Sequence, residues 1–189
     1  MPDEGDLWVV REFVNTYDVE KDIEALPNAD DLVSWLRYAG LMVGPDEAQT
    51  ADGTDLRHAR ALREAIRELL VANHDGEPAA SAVAAVDEQA RRVRLRPRFT
   101  PDGVGFEAAG SPVDQALGRL LAVIVRSMTD GGWARLKVCR NDTCRWAFYD
   151  ASRSGAGRWC SMAVCGNRRK ARAYRARVRS EPAQAERPA

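Results

Sequence analysis

The stretch "CRNDTCRWAFYDASRSGAGRWCSMAVC", residues 139–165, contains all four cysteines of this 189-residue chain. The cysteines form two pairs, and four residues separate the members of each pair. Fifteen residues lie between the pairs, which is enough for a hairpin to bring the chain back. Tetrahedral zinc needs four thiolates about 2.3 Å from the ion, and two short-spaced pairs can supply them. We therefore predict one structural zinc ion held by Cys139, Cys144, Cys160 and Cys165.

Two disulfides or a reversible redox switch are the alternatives for these cysteines. The N-terminus, "MPDEGDLWVVREF", is acidic where a signal peptide is basic and then apolar. The chain also lacks a run of about 18 apolar residues, so we predict no membrane partner. We expect the protein in the reducing cytoplasm, associated with the nucleoid if it binds DNA, where disulfides are rare. Four protein thiolates leave no open position for a reacting water, so we predict that it is not an enzyme.

The residues around the cysteines predict a small module with a hairpin followed by a helix. Residues 133–150, "WARLKVCRNDTCRWAFYD", have the alternation of short strands around a tight turn. The segment from about Met162 to Arg179 is rich in helix formers and has no breaker after Gly166. This order is typical of a treble-clef-like finger. Its small apolar core is predicted to contain Trp146, Phe148, Tyr149 and Trp159.

The predicted C-terminal helix is strongly basic, although the whole chain has no net charge. Residues 1–134 have a net charge of −10, and residues 135–179 have a net charge of +11. On a helix, Arg168, Arg172, Arg175 and Arg179 lie within about 60° of one another. Like charges at these spacings destabilise a helix, so an anionic partner is favoured. The predicted nucleic-acid contacts are Arg153, Arg158, Arg168, Arg169, Lys170, Arg172, Arg175 and Arg179.

Duplex DNA is the favoured partner of this helix, because phosphates relieve the repulsion and release counterions. RNA and an acidic protein surface are the alternatives, the latter including the acidic part of this chain or of a second copy. A separate narrow apolar stripe is predicted along Ala171, Tyr174 and Val178. It is too narrow for firm insertion into a membrane surface.

The residues before the cysteines predict several helices. Val10, Phe13, Val14 and Tyr17 recur at helical spacing. A second helix is predicted with Asn28 or Asp30 as its cap and Gly40 as its stop. A third is predicted with Asp55 as its cap, and we expect its apolar stripe to be buried and its charges to lie on the opposite, solvated face.

Two further helices and a hairpin complete this part of the chain. One helix follows Pro78, and Val83, Val86, Ala90 and Val93 are expected to point inward. Residues 92–110 alternate and contain a Pro-Asp-Gly turn signal, which predicts a short β-hairpin. A helix from about Val113 to Met128 has apolar residues on nearly every side, so we expect it at the centre.

We predict a mainly α fold with two parts and a tail. Residues 1–132 form a helical domain with a short β-hairpin, and residues 133–180 form the small treble-clef-like zinc module with its basic helix. Residues 181–189 are predicted to be disordered.

The C-terminal part resembles the CGNR zinc finger, named for the tetrapeptide found here at Cys165–Arg168. The resemblance covers the four cysteines, the aromatic-Tyr-Asp-x-Ser stretch at Phe148–Ser152 and the "RWCSM" approach. The N-terminal part resembles the ABATE domain that accompanies this finger, through Phe13–Thr16, Asp31–Met42 and Ala61–Ile66. The resemblance implies a bacterial, stress-related transcription regulator with a helical N-terminal domain and a zinc-bound finger.

The resemblance also directs attention to Asn15 and Thr16. A polar pair after an apolar helix is most simply a helix cap and turn. A ligand contact or an interdomain hydrogen bond is the alternative. We expect the helical domain to sense a small-molecule effector or to form a homodimer.

Overall fold

The computed structural model describes residues 4–44, 50–74, 76–101 and 103–180. It is 54% helical, which confirms the mainly α class. The predicted tail, 181–189, lies outside the described residues. The helices are α1 (Leu7–Val14), α2 (Ala29–Tyr38), α3 (Gly53–Ala72), α4 (Ala80–Arg92), α5 (Pro112–Asp130) and α6 (Asn167–Ser180). Within the described ranges the strands pair as antiparallel hairpins: β1 (Tyr17–Asp18) with β2 (Ile23–Glu24), β3 (Arg96–Thr100) with β4 (Gly103–Glu107), and β5 (Leu136–Val138) with β6 (Ala147–Tyr149).

Helix α5 is central, as its nearly continuous apolar surface predicts. It contacts α1, α2, α3, α4 and strand β4. Its start is a reciprocal cap, in which the Ser111 hydroxyl accepts from the Asp114 amide and the Asp114 carboxylate accepts from the Ser111 amide, both at 3.1 Å. It ends at Gly131, whose φ of +85° is left-handed and suits glycine. In the part of the chain that the structure describes, no helix combines the length and apolarity needed to cross a membrane.

The first turns of α2 and α3 are held by side-chain caps. Asn28 caps α2, and its side chain accepts from the Asp31 amide at 3.0 Å. The prediction that Asp55 caps α3 is wrong, because the cap is Asp52. The Asp52 carboxylate accepts from the Thr54 and Asp55 amides at 2.6 and 2.9 Å. Asp55 lies three residues into the helix, where its carboxylate accepts from the Asp52 amide and completes a capping box.

The charges of α3 do not all lie on a solvated face, which corrects the prediction. The side chains of Arg63 and Arg67 are only 4% and 1% exposed. Arg63 donates to Glu24 at 2.7 Å, and Arg67 donates to the Val14 carbonyl at 2.6 Å. Buried cations are tolerated when fixed partners replace water, and both guanidinium groups have such partners.

Two apolar positions also differ from the predicted pattern. Helix α1 ends at Val14, so Tyr17 does not continue its apolar face and instead begins β1. Val83 of α4 is 46% exposed, although its spacing predicts an inward position. The face of α4 that packs inward carries Ala82 and Gln89, which are both buried, so Val83 lies at its edge.

The β5–β6 hairpin is packed into the main core. Its register pairs Leu136 with Tyr149 and Val138 with Ala147. Leu136, Val138 and Ala147 are all buried in one cluster with residues of α1, α3 and α5. The hairpin also contacts α1 through β6 and α3 through β5. The predicted boundary after Gly132 therefore precedes a hairpin that completes the core of the helical part.

The aromatic residues of the finger do not share one small core, which corrects that expectation. Trp146 and Trp159 pack against the cysteines, whereas Tyr149 packs against the main core. Phe148 is half-buried and belongs to neither cluster. The finger is too small to enclose all four aromatics, and the nearby helices provide a larger apolar surface for Tyr149.

Candidate metal centre and basic surface

The four cysteine sulfurs lie together at one end of the β5–β6 hairpin. All four Sγ atoms are within 4.8 Å of one another. The Cys144–Cys160 and Cys160–Cys165 separations are 3.7 and 3.8 Å. A tetrahedron with 2.3 Å metal–sulfur bonds has edges of about 3.8 Å. The sulfurs therefore fit one zinc ion, and none of them is paired in a disulfide.

Backbone hydrogen bonds place the first cysteine pair. The Cys139 amide donates to the Trp146 carbonyl at 2.8 Å and closes the loop between the strands. The Asn141 carbonyl accepts from the Cys144 and Arg145 amides at 2.7 and 3.1 Å, which forms a tight turn. Arg145 has a φ of +50°, a left-handed conformation that is uncommon for a residue with a Cβ. This turn brings Cys144 back towards Cys139.

The second pair enters α6 through a π-helical turn, Met162–Gly166. The Ser161 side chain caps this turn by accepting from the Val164 amide at 3.3 Å. Cys165 lies in the turn, and α6 begins two residues later at Asn167. The Asn141 side-chain amide contacts the Cys165 sulfur at 3.8 Å and links the two pairs. Asn141 was not predicted, and its position between two cysteines is the only signal the sequence offers.

The clustered thiols cannot all ionise without a cation. A hydrogen bond from Cys144 lowers the pKa of Cys139 to about 5, and the same bond raises the pKa of Cys144. Burial and the neighbouring charge raise the pKa of Cys160 to about 12. A divalent metal is what allows all four sulfurs to become thiolates. Cys139, Cys144, Cys160 and Cys165 hold one structural zinc ion.

The predicted basic helix is present and stands away from the core. Every side chain from Asn167 to Arg179 is exposed, including Arg168, Arg169, Lys170, Arg172, Arg175 and Arg179. Arg172, Arg175 and Arg179 line one shallow groove, so these three cations share a face. The apolar stripe is uncovered as well, because Tyr174 and Val178 are 60% and 52% exposed.

Arg168 and Arg172 contact the rest of the protein. Arg168 forms an ion pair with Glu20, in the turn between β1 and β2. Arg172 donates to the Asn141 side-chain carbonyl at 3.4 Å, so the amide that contacts Cys165 also contacts α6. Both arginines lie near the start of α6. The helix is therefore fixed at its cysteine end.

Arg153 and Arg158 lie in a loop that a buried ion pair holds in place. Lys137 and Asp150 are 3% and 4% exposed, and their Nζ and Oδ2 atoms are 3.2 Å apart. The Asp150 carboxylate also accepts from the Gly157 amide at 2.6 Å, and Lys137 donates to the Gly155 carbonyl. Both arginines are exposed on this loop. Lys137 and Asp150 were not predicted, although Asp150 belongs to the aromatic-Tyr-Asp-x-Ser stretch.

Asn15 and Thr16 are both buried at the end of α1. The Asn15 side chain donates to the Ala147 carbonyl at 3.0 Å and accepts from the Ala147 amide at 2.8 Å. The Thr16 hydroxyl donates to the Phe13 carbonyl at 2.7 Å and accepts from Arg63 at 3.2 Å. Asn15 therefore contacts strand β6, and Thr16 remains within the helical part.

An apolar groove of about 450 Å³ lies between α3, α4 and α5. The groove is separate from the cysteines and from α6. At its edge, the side-chain amide of Asn73 donates to the Trp133 carbonyl at 2.8 Å. Its apolar lining includes Val83, Val86, Leu121, Val125, Met128 and Trp133.

Comparisons with known proteins agree with this architecture. Residues 8–130 match the model of the ABATE family, whose description is "Putative stress-induced transcription regulator". Residues 135–178 match the model of the CGNR zinc finger. The two matches lie on either side of the predicted boundary after Gly132. No curated protein matches the chain. The chain therefore belongs to the ABATE family, and its residues 135–178 form a CGNR zinc finger.

Proposed function

We propose that this protein is a transcription regulator that binds duplex DNA through α6, with zinc holding that helix in place. The family match supports the regulatory role. The composition of α6 is the main support for DNA binding. Its fourteen residues include seven cations and no acidic residue, and every described side chain is exposed. Neighbouring positive charges repel one another in the free helix, and phosphates would relieve that repulsion.

The shape of the basic surface supports duplex DNA as the partner. The major groove of B-DNA is about 12 Å wide and admits one α-helix. Because α6 is exposed on all sides, it can enter a groove without unfolding the protein. Arg172, Arg175 and Arg179 would bind phosphates or guanine edges, and Arg153 and Arg158 on the loop would bind the flanking backbone.

Zinc has a structural role in this proposal. Cys165 lies in the turn that leads into α6, so the metal fixes the direction in which the helix leaves the protein. Four thiolates fill the tetrahedral shell and leave no position for a substrate. We accordingly propose no enzymatic activity for the site.

The salt dependence of binding to duplex DNA tests this proposal. Each phosphate contact contributes about 0.9 to the slope of log K against log salt. The variant Arg172→Gln/Arg175→Gln/Arg179→Gln should make this negative slope shallower by about 3. The matched control is Arg91→Gln/Arg96→Gln/Arg98→Gln, which removes the same charge from arginines that are 72%, 73% and 67% exposed in the helical part. A wild-type slope near zero or one, or equal losses in the two triple variants, would contradict the proposal.

RNA and acidic proteins are the other candidate partners of α6, and the same measurements distinguish them. Tighter binding to structured RNA than to duplex DNA would favour RNA. Stable dimers without nucleic-acid affinity at physiological salt would favour a protein-interaction module. A small-molecule effector remains a prediction, and the groove lined by Trp133 is the place we propose for it. Apolar compounds that bind there should quench the tryptophan fluorescence of the protein. Loss of that quenching in Trp133→Phe would support the assignment.

A further inference from the structure

The segment that follows Cys144 is fastened to the helical part of the protein. The Arg145 carbonyl accepts from Arg67 Nη1 at 3.0 Å, and the Arg145 guanidinium donates to Glu68 Oε1 at 2.5 Å. Two residues further on, Ala147 exchanges both its backbone hydrogen bonds with the Asn15 side chain, at 2.8 and 3.0 Å. Three side chains thus hold the residues that directly follow a zinc ligand. One of them, Asn15, lies just after α1, and the other two, Arg67 and Glu68, lie on α3.

Arg67 connects this segment to the end of α1. Its guanidinium is 1% exposed, and Nη2 donates to the Val14 and Tyr17 carbonyls at 2.6 and 3.1 Å. Nη1 of the same group holds the Arg145 carbonyl. One side chain thus donates to three backbone carbonyls, and its bond to the Val14 carbonyl is fully buried. A substitution of Arg67 would therefore remove hydrogen bonds both at the end of α1 and beside Cys144.

The held segment contains the backbone conformation on which the first cysteine pair depends. Arg145 is left-handed, with a φ of +50°, and such a conformation persists in a non-glycine residue only where surrounding contacts enforce it. Arg67 and Glu68 supply those contacts, on the carbonyl and on the side chain. The neighbouring Trp146 carbonyl accepts from the Cys139 amide at 2.8 Å, so the conformation also sets the distance between Cys139 and Cys144.

We propose that Asn15 and Arg67 are positioning residues for zinc: they hold the Cys144–Ala147 segment in its metal-binding conformation from outside the finger. Groups that orient metal ligands typically change metal affinity by about 10- to 100-fold when they are removed. Zinc binding and the packing of the helical part are then coupled, and each strengthens the other. The proposal does not depend on the partner of α6.

The test is the zinc dissociation constant, measured by competition with a chromophoric chelator. Asn15→Ala and Arg67→Lys should each weaken zinc binding by about 10- to 100-fold. Cobalt(II) reports the geometry directly, and its visible absorption bands should shift or broaden in both variants. The milder Glu68→Gln removes only the negative charge that faces the Arg145 side chain, at a half-exposed residue, and should cause a smaller loss of the same kind.

The matched control is Arg60→Gln. Arg60 is also on α3 and also donates to a backbone carbonyl, that of Leu26, at 2.5 and 3.1 Å, but it does not touch the cysteine segment. We expect it to lower the melting temperature and to leave the zinc affinity and the cobalt spectrum unchanged. If Arg67→Lys fails to fold, Asn15→Ala and Glu68→Gln decide the matter. Wild-type zinc affinity and cobalt spectra in the folded variants would overturn the proposal.

Discussion

Among single residues, Asp150 shows how a buried charge can hold a loop. Burial raises the pKa of this carboxyl, but hydrogen bonds from Ser152, Gly157 and Lys137 outweigh burial and lower the pKa to about 2. The carboxylate therefore stays ionised in the folded protein well below the usual range of an aspartate. These bonds help to attach the loop that carries Arg153 and Arg158.

The pH dependence of stability tests the role of Asp150. Because its pKa is lower in the folded state than in the unfolded chain, its contribution is complete above about pH 4 and is lost as the pH falls towards 2. A shift of this size corresponds to about 2 kcal/mol. In urea unfolding, Asp150→Asn should be less stable than wild type by about 2 kcal/mol at pH 7, and the two should converge near pH 2. Both proteins have the same four cysteines, so we expect acid to release zinc from both, and their difference then reports on Asp150. A difference that is independent of pH would contradict this assignment.

The cysteines make a second prediction for single residues. Cys144→Ser and Cys165→Ser each remove one thiolate, and we expect less than one zinc per chain by metal analysis together with a lower melting temperature. Ser154→Ala, at an exposed position of the intervening loop, is the control and should bind one zinc. Full zinc stoichiometry in both cysteine variants would contradict the four-thiolate site.

At the level of elements, a glycine determines how closely the β3–β4 hairpin approaches α5. A Cβ placed on Gly118 would lie 2.1 Å from the Cβ of Ala108, which follows β4, and 3.6 Å from Val93. The first distance is far too short for two carbon atoms. Gly118 is therefore needed for packing, although glycine is a poor residue for the middle of a helix.

We expect Gly118→Ala to destabilise the protein by about 1–3 kcal/mol, because overpacking outweighs the gain in helix propensity. Gly53→Ala is the matched control on α3. A Cβ there meets only the end of the Arg57 side chain at 3.8 Å, so we expect no loss or a gain of about 0.4–1 kcal/mol. Thermal or urea unfolding of both variants measures the contrast. Equal stability of Gly118→Ala and wild type would mean that α5 and Ala108 separate at little cost.

For the whole molecule, the two ends of the finger differ in what they contribute to stability. The β5–β6 hairpin places Leu136, Val138 and Ala147 in the main core. By contrast, every described side chain of α6 from Asn167 to Arg179 is exposed. The predicted boundary after Gly132 therefore separates sequence families but cuts through a packed core.

Two truncated chains test this difference. A protein that ends at Gly166 should keep its zinc and melt within about 2 °C of wild type, since the exposed contacts of α6 are worth little. A protein that ends at Gly132 should lose cooperative melting and bind a hydrophobic dye, because its core is uncovered and the donors of Arg67 and Asn15 lose partners. For each truncated chain, circular dichroism measures melting and dye fluorescence measures the exposed apolar surface. Cooperative melting of the shorter chain at the wild-type temperature would show that residues 1–132 fold alone.

Much of this architecture is local and could be predicted from sequence. The cysteine spacing, the apolar pattern of α5, the turn of the β3–β4 hairpin and the basic run of α6 each depend on residues close together in the chain. Arg63 and Arg67 could not be predicted to be buried, because a charged residue beside an apolar stripe normally faces solvent. Their burial depends on carbonyls and carboxylates from other elements, and spacing within α3 contains no information about these.

The sequence by itself determined the four zinc ligands and the basic helix, because ligand spacing and charge are properties of short segments. Only the tertiary structure decided that the finger and the helical part share a core. That outcome rests on contacts between distant residues, such as Asn15 with Ala147 and Arg67 with Arg145. The hairpin has an apolar face too large for a small zinc module to cover, and burying it against α1 and α3 removes that surface from water.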